Sequence, residues 1–326
     1  MIANAKLEQM NRDDLQALQL ERLRNVVKWV EEKSFFYKER FRTAGIRPED
    51  IQTLEDAEKL PFLRSSELHQ ANAMDMLTMP LSSILRFNYV QETSGGELTK
   101  LYTSGDIAHN VEMMTRCLVA AGIHTASTVG LQGDLTDSRL LDIQYALEVV
   151  GATVVPLGTG YKHWLRLMEL VSIDTLISTP QLIMQLIIQL QAAGKNIVDY
   201  SISRIVCVNL NNIQNPLQQH IQERTHTKVY NLYAPPELGL AGMLFQCEAH
   251  MGQHLQEDYF YPEIIEFNSD RPIQEDNRMG ELVVTTLVAE AMPLIRYRTG
   301  QAVSRMTDTC ECGRNLMRVA TPFSYL

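Results

Sequence analysis

The residues with the clearest chemical potential are cysteines and histidines in the last third of the chain. The segment CECGR at positions 310–314 places two thiols two residues apart before a glycine, and Cys247, His250 and His254 lie upstream within eight residues. Structural zinc sites take four Cys and His ligands, so the two thiols with one Cys and one His from upstream would form a Cys3His site. The alternative is an exposed loop with reducible thiols, because a C-x-C spacing is less specific than paired C-x-x-C motifs.

A second polar segment, ETSGGELTK at positions 92–100, carries glycines and hydroxyl side chains after an apolar stretch. It is not a Walker A motif. A loop of this kind can still aim the hydroxyls of Thr93 and Ser94 and the backbone N–H groups of Gly95 and Gly96 at phosphate oxygens. Taken alone, such a segment is more often a simple turn.

Two further segments place charge next to aromatic rings. YAPPE at 233–237 follows a predicted strand, and strand ends in open α/β sheets are where ligands usually bind, so Glu237 could hold a metal ion or a nucleotide. RYRTG at 296–300 carries two cations around a tyrosine and could bind phosphate. The alternatives are a proline-stiffened loop with a solvated carboxylate, and a salt-bridged turn.

The elements that position these residues alternate between helix and strand along the middle of the chain. Residues 5–33 first form one amphipathic helix, because apolar residues recur there on a single helical face. From about residue 104 the alternation predicts crossover connections and a mainly parallel sheet. The predicted elements are helix Ser138–Val150, strand Thr153–Pro156, helix Tyr161–Val171, strand Asp174–Ser178, helix Pro180–Ala193, strand Arg204–Val208, helix Pro216–Arg224 and strand Lys228–Leu232.

The pattern changes after residue 240. Tyr259–Phe267 and Glu281–Val288 are strand-like and are joined by polar turns, with no helical spacing between them. The predicted fold class is therefore α/β, with mainly parallel sheets and helices in residues 1–240 and an antiparallel sheet or barrel subdomain in residues 241–326.

Composition narrows the class of protein. The 326 residues carry a formal net charge of −10, which argues against a general nucleic-acid binder because such proteins need clustered Lys and Arg. No apolar run reaches the roughly 20 residues that span a bilayer, and the N-terminus lacks a signal-peptide core, so we expect a cytoplasmic protein. Five cysteines fit a reducing compartment, and Cys117 and Cys207 are expected to be inert core thiols.

The order of the motifs is more specific than any one of them. FFYKERFRTAGI, YALEVVGATVVPLGTG, LISTPQLIMQL, VYNLYAPPELG, QCEAHMGQHLQEDYFYPEII, GELVVTTLVAEAMPLIRYRTG and CECGR follow one another along the chain. In this order and spacing, nearly the whole chain resembles the phenylacetate-CoA ligase branch of the adenylate-forming superfamily, and the predicted fold is that superfamily's N-terminal domain.

The resemblance implies an activity, cofactors and ligands. Such ligases activate a carboxylic acid with ATP to an acyl-adenylate and then transfer the acyl group to CoA, and a small C-terminal lid supplies the adenylation lysine. Glu237 would be the catalytic carboxylate that faces magnesium. The implied nucleotide-binding residues are Thr93, Ser94, Gly95, Gly96, Tyr233, Arg298 and Gln301. The implied structural zinc ligands are Cys247, His254, Cys310 and Cys312, with His250 in reserve.

Several positions depart from the family pattern. The phosphate loop is shortened, and Lys100 is not clearly in register with the family's lysine. Pro236 replaces a phosphate-binding threonine, Gln301 replaces the aspartate that takes both ribose hydroxyls, and Val208–Asn211 replaces the segment that backs the adenine. Because the chain ends at Leu326, we also expect it to lack the lid.

These departures leave two hypotheses of different classes. The chain is either a minimal adenylating enzyme that binds ATP weakly or uses a separate lid protein, or a non-catalytic homologue that binds a small acid, a nucleotide fragment or a protein partner. Four changes in one nucleotide site favour the second hypothesis, because each lost contact could cost about 2–4 kcal/mol. A homo-oligomer or an assembly subunit fits the acidic surface but has no motif of its own.

Overall fold

The computed structural model describes residues 1–91, 97–134, 136–158, 160–209, 213, 215–267 and 269–320. The α-helices are α1 (Ala5–Glu8), α2 (Arg12–Lys33), α3 (Phe35–Ala44), α4 (Ser65–Gln70), α5 (Ala73–Met76), α6 (Ser104–Ala120), α7 (Ser138–Val150), α8 (Tyr161–Leu170), α9 (Pro180–Ala192) and α10 (Pro216–Thr225). The strands are β1 (Arg86–Gln91), β2 (Glu97–Tyr102), β3 (Thr128–Leu131), β4 (Thr153–Pro156), β5 (Thr175–Ser178), β6 (Arg204–Asn209), β7 (Lys228–Tyr233), β8 (Leu244–Phe245), β9 (Gln253–Leu255), β10 (Phe260–Ile265), β11 (Gly280–Thr286), β12 (Tyr297–Met306) and β13 (Arg318–Ala320).

The chain divides into two compact units, each made of several segments. Unit 1 comprises Met1–Ala3, Asn110–Pro235 and Leu240–Gln253. Unit 2 comprises Asn4–His109, Pro236–Gly239 and His254–Leu326. The sequence-based division at residue 240 stays a prediction.

Unit 1 contains a mixed sheet with the strand order β4-β3-β5-β6-β7-β8. The first five of these strands pair in parallel, and β8 pairs with β7 antiparallel. The four residues of β5 are all buried, as are five of the six residues of β7, which is expected of parallel strands covered on both faces. The α/β class predicted from the alternation is confirmed. Two of the eight predicted elements have the observed bounds, and the other six differ by one residue at one end.

Local capping residues explain why the helices of unit 1 begin and end where they do. Asp137 accepts a hydrogen bond from the backbone of Arg139 at the start of α7, and Gly151 ends that helix with a φ of 83°, a conformation that glycine adopts without a Cβ penalty. Thr179 caps α9, whose first residue is Pro180, a residue suited to the first helical turn.

Unit 2 contains the antiparallel strands, in the order β10-β11-β12-β13-β9, and a separate hairpin of β1 and β2. The antiparallel pairing predicted for the region after residue 240 is confirmed for β10, β11, β12 and β13. The β11–β12 register shifts between Glu281, which pairs with Ala302, and Val283, which pairs with Arg298. The extra residues lie on β12 and include the end of the RYRTG segment. A bulge of this kind re-aims side chains on the bulged strand.

The prediction of one helix over residues 5–33 is wrong in one respect. The helix is interrupted between α1 and α2, because Asn11 adopts an extended backbone and its side chain accepts a hydrogen bond from the backbone of Asp14 at 2.9 Å. That bond caps a new helix start, which hydrophobic periodicity alone does not register.

The structure bears on two further expectations, which concern membrane-spanning helices and the core cysteines. Among the described residues, none of the helices is both long and apolar enough to cross a membrane. Cys117 and Cys207 have no exposed surface, and burial raises the pKa of the Cys207 thiol. A thiol held in its neutral form is a poor nucleophile, which agrees with the expected inert role.

Candidate functional site

The cysteine–histidine cluster is well formed within unit 2. His254 lies in β9, while Cys310 and Cys312 lie in the loop between β12 and β13. Their ligand atoms lie within 4.8 Å of one another, and Cys312 Sγ is 3.4 Å from His254 Nε2. His254 and Cys310 are buried and Cys312 is half-buried. The turn closes through a hydrogen bond from the backbone of Gly313, which has a φ of 77°, to the Cys310 carbonyl.

The N-terminal helix of unit 2 holds this loop in place. Glu8 of α1 forms an ion pair with Arg314, and neither side chain has more than 1% of its surface exposed. The backbone N–H of Asn315 donates to the Glu8 carbonyl at 2.9 Å, and Gln9 donates to the Gly313 carbonyl at 3.1 Å. Arg314 also hydrogen-bonds to the Cys312 side chain. These contacts fix the two thiols opposite His254.

The two upstream candidates of the zinc prediction lie in unit 1. Cys247 is buried with 1% exposure, and its role as the fourth ligand stays a prediction. His250, the reserve ligand, packs its ring against Tyr230 with 4.6 Å between the ring centroids, and burial lowers the pKa of this histidine.

The structure describes the two strands that flank the predicted phosphate loop. Thr93, Ser94, Gly95 and Gly96 lie outside the described residues. The flanking strands β1 and β2 pair in antiparallel register, with Asn88 opposite Lys100. The hairpin geometry therefore fixes Lys100 on β2, beyond the loop itself.

Lys100 is a buried cation that sequence reasoning did not identify. It is 5% exposed, and its Nζ donates to the Met292 carbonyl at 3.0 Å. Burial lowers the pKa of Lys100 to about 8, against the opposing effect of the carboxylates of Asp106 and Glu237. The signal in the sequence was strand alternation: Leu98, Lys100 and Tyr102 occupy every second position of β2, and all three are buried.

Glu237 lies in a short 3-10 helix, Pro236–Leu238, and is 7% exposed. The next turn is held by Tyr102, whose hydroxyl donates to the Gly239 carbonyl at 2.6 Å. Gly239 has a φ of 69°, and a Cβ at this position would collide with the Tyr102 hydroxyl. Tyr233, at the end of β7 in unit 1, is 1% exposed.

The two arginines of the RYRTG segment already have acidic partners. Arg298 donates from Nε to Glu281 at 2.8 Å and from Nη1 to Asp270 at 3.0 Å, and the hydrogen bond with Glu281 raises the pKa of Arg298 further. Arg296 is 2% exposed and makes a two-pronged ion pair with Glu263 at 3.0 and 2.7 Å. Such bidentate pairs are among the strong polar contacts of proteins, so both cations are engaged in structural ion pairs.

Gln301 lies in β12 and is half-buried. It follows Gly300, whose backbone N–H donates to Glu281 Oε1 at 3.1 Å and which has a φ of 68°. The same Glu281 therefore binds both the Arg298 side chain and the backbone that precedes Gln301. This carboxylate fixes the geometry of the segment.

Unit 2 also contains a polar cavity of about 550 Å³. Its walls come from α2, β10 and the segment between β12 and β13, and they include Arg12, Glu58, Tyr261 and Arg318. Among the predicted nucleotide-binding residues that the structure describes, neither Tyr233 nor Arg298 nor Gln301 lines it.

Comparison with known proteins identifies the chain's relatives. It is 29% identical to the phenylacetate-coenzyme A ligase of Thermus thermophilus over 327 residues, which cover 98% of this chain and 72% of the relative. The Escherichia coli phenylacetate-coenzyme A ligase is also 29% identical, with 98% and 74% of the two chains covered. No protein-family model matches the chain.

Solved structures give the same fold. A crystal structure of 2-hydroxyisobutyryl-CoA ligase in complex with 2-HIB-AMP and CoA superimposes with a TM-score of 0.88 at 20% identity, covering 96% of this chain and 68% of that one. The open conformation of the same ligase gives a TM-score of 0.86, with 96% and 75% covered. The chain is thus a homologue of the phenylacetate-coenzyme A ligases, with the fold of the acid-CoA ligases of the adenylate-forming superfamily.

Proposed function

We propose that this chain retains the ligand-binding fold of an acid-CoA ligase but activates carboxylic acids weakly or not at all, because its ATP site is degenerate. The proposal rests mainly on the polar contacts and side chains of the RYRTGQ segment, residues 296–301. Arg298 is paired with two carboxylates, and the next side chain that could reach a ribose is the neutral amide of Gln301. A charged acceptor binds hydroxyl groups about twice as strongly as a neutral one.

The turn at Glu237 supports the same conclusion. Pro236 occupies the position at which the family resemblance implies a phosphate-binding threonine, and proline offers neither a side-chain hydroxyl nor a backbone N–H. Glu237 shares its buried surroundings with the Lys100 ammonium. Phosphoryl and adenylyl transfer depend on positioning and charge neutralisation, so each of these changes weakens the step that uses ATP.

The ligand class follows from the relatives. The names of the relatives specify phenylacetate and 2-hydroxyisobutyrate, both small carboxylic acids. We assign this chain a small carboxylic acid as its ligand, with a nucleotide bound weakly beside it. The odd number of cysteines and the buried thiols fit a reducing, cytoplasmic setting.

The test is calorimetry with ATP, with and without magnesium, using the Escherichia coli ligase as the positive control. We expect no saturable binding of ATP below about 1 mM, which corresponds to less than about 4 kcal/mol of binding free energy. Micromolar binding of ATP would overturn the proposal. So would multiple-turnover formation of a thioester, detected by mass spectrometry, from ATP, magnesium, CoA and phenylacetate or 2-hydroxyisobutyrate.

A non-catalytic partner-binding or assembly role is the second candidate, and one surface favours it. Leu85, Phe87 and Tyr89 occupy alternate positions at and before β1 and are 68%, 63% and 59% exposed. Clustered exposed apolar side chains often mark interaction surfaces. The test is to measure the molar mass in solution by light scattering, for the wild-type protein and for a Phe87→Ser, Tyr89→Ser variant. If the chain associates with itself through this strand, the variant must associate more weakly.

We also propose a structural zinc ion at His254, Cys310 and Cys312. Two thiols and an imidazole are the donors that zinc prefers in structural sites, and three such donors within 4.8 Å of one another fit the ion. Cys247 is the predicted fourth ligand. The ion would secure the end of the antiparallel sheet, in a structural role. Elemental analysis of protein purified without chelators should find about one zinc per chain.

A further inference from the structure

The polar cavity of unit 2 has a volume of about 550 Å³, which is within the range of small-molecule sites. Three of its wall residues, Arg12, Gln16 and Gln19, lie on one face of α2, at spacings of four and three residues. Arg12 and Gln16 are exposed, whereas Gln19 is 1% exposed. The cavity therefore extends from solvent to a buried position on this helix.

The side-chain amide of Gln19 carries an acceptor that the protein does not satisfy. Its Nε2 donates to the backbone carbonyl of Glu257 at 2.9 Å and to that of Phe260 at 3.4 Å. These two carbonyls fix the orientation of the amide, because the reversed amide would turn its oxygen towards them. Gln19 Oε1 is buried and has no hydrogen-bond partner among the described residues. Buried polar atoms are nearly always hydrogen-bonded, so this oxygen calls for a donor from the cavity.

The four arginines of the cavity wall already have partners in the protein. The partners are three acidic side chains and one backbone carbonyl: Arg12 pairs with Glu257 at 2.7 Å, Arg305 with Asp276 at 3.9 Å and Arg314 with Glu8, and Arg318 donates to the Asp308 carbonyl. Because their guanidinium groups are engaged in this way, the wall is poorly suited to an anionic ligand.

Two carboxylates of the same wall, those of Glu55 and Glu58, have no such partner. Both residues are exposed, and neither forms an ion pair with another described residue. They lie three residues apart in the short 3-10 helix Glu55–Lys59, and residues at this spacing are on the same side of a 3-10 helix. Adjacent like charges repel each other, so a cation bound between them is favoured.

We propose that this cavity binds an aliphatic diamine or polyamine. One ammonium group is neutralised by Glu55 and Glu58, and a second donates to Gln19 Oε1. An ammonium group offers three N–H donors and no acceptor, and charge-assisted hydrogen bonds are stronger than neutral ones. The ligand thus supplies both the cation and the donor that the wall lacks. This binding site goes beyond the proposed function and does not depend on it.

The test is calorimetric titration of the full chain with 1,6-diaminohexane at neutral pH. The wild-type protein should bind one equivalent with a Kd below about 1 mM. Hexamethonium carries the same two charges at the same spacing but no N–H donor, and it should bind at least about tenfold more weakly. Glu58→Gln should weaken diamine binding about tenfold. Glu49→Gln is the matched control, because it removes the same charge from an exposed residue outside the cavity wall, and it should leave the affinity unchanged.

Gln19→Leu, checked for folding by circular dichroism, should also weaken diamine binding about tenfold. If this variant does not fold, the exposed Glu58 still decides the question. The proposal is overturned if the wild-type protein shows no saturable diamine binding up to about 10 mM, because water then suffices as the donor to Gln19 Oε1. Equal affinities of the two ligands, or of the wild type and Glu58→Gln for the diamine, would also overturn it. ATP and carboxylic acids are absent from the titration, so a failure of the proposed function leaves this result unaffected.

Discussion

The Tyr102 hydroxyl donates a 2.6 Å hydrogen bond to the Gly239 carbonyl and so joins β2 to the turn that follows Glu237. Both residues belong to unit 2, although 137 positions separate them along the chain. Tyr102 is 3% exposed, and a buried hydrogen bond of this kind holds the turn in one conformation.

Tyr102→Phe should lower the free energy of unfolding by about 1–3 kcal/mol, because the Gly239 carbonyl loses this buried partner. The measurement is unfolding in urea at neutral pH. Tyr145→Phe is the matched control, because Tyr145 is 45% exposed and its hydroxyl can bond to water. Equal effects of the two substitutions would contradict the importance of the Gly239 contact.

Gln301→Asp should strengthen the binding of adenosine nucleotides by about tenfold, because a carboxylate makes charge-assisted hydrogen bonds to ribose hydroxyls. Gln301→Asn is the matched control and should leave the affinity unchanged. Calorimetry with AMP measures both variants. If the aspartate variant binds AMP no better than the asparagine variant, Gln301 does not face a ribose.

Cys312→Ser should remove most of the zinc found in the purified protein, because a hydroxyl is a poor zinc ligand and Cys312 Sγ lies 3.4 Å from His254 Nε2. Cys207→Ala also removes a thiol, from the core of unit 1, and should leave the zinc content unchanged. Elemental analysis of the two variants separates a specific site from zinc bound nonspecifically to thiols. Full zinc content in Cys312→Ser would refute the site.

Glu8→Gln should lower the free energy of unfolding by about 3–5 kcal/mol, because it leaves the Arg314 guanidinium without its buried counter-ion. Arg278→Gln removes an exposed ion pair with Glu266 and should cost less than about 1 kcal/mol. Denaturant unfolding measures both. The same Glu8 variant should lose zinc more readily, since α1 holds the 310–314 loop.

Tyr37 should make the protein sensitive to alkali. Burial raises the pKa of Tyr37, and its hydroxyl donates to the Pro293 carbonyl at 2.9 Å and accepts from the Ile295 backbone at 3.1 Å. A raised pKa means that the unfolded chain releases this proton first. The stabilisation that the buried, protonated Tyr37 provides is therefore complete below a pH of about 10. It decreases progressively as the pH rises above that value.

The wild-type protein should lose about 1.4 kcal/mol more than Tyr37→Phe for each pH unit above about 10. Unfolding in urea at pH 8 and at pH 11 measures this difference. Parallel losses in the two proteins would show that Tyr37 does not titrate on unfolding.

The sequence by itself determined the features that depend on neighbours along the chain. Asp137 and Gly151 bound α7, and Pro216 opens α10, because caps and prolines act within one helical turn. The two thiols of the 310–314 loop were recognisable from their spacing for the same reason. The order of motifs indicated the ligase family, which the comparisons with phenylacetate-coenzyme A ligases confirmed.

Only the tertiary structure decided which charges meet. Arg298 was a candidate for phosphate because RYRTG carries two cations around a tyrosine, but its partners Glu281 and Asp270 lie 17 and 28 positions away. Lys100 is out of register with the family's lysine, and only the fold shows that it is buried and interacts electrostatically with the carboxylates of Asp106 and Glu237. An ion pair depends on distance and burial in space, and sequence spacing specifies neither once the partners belong to different elements.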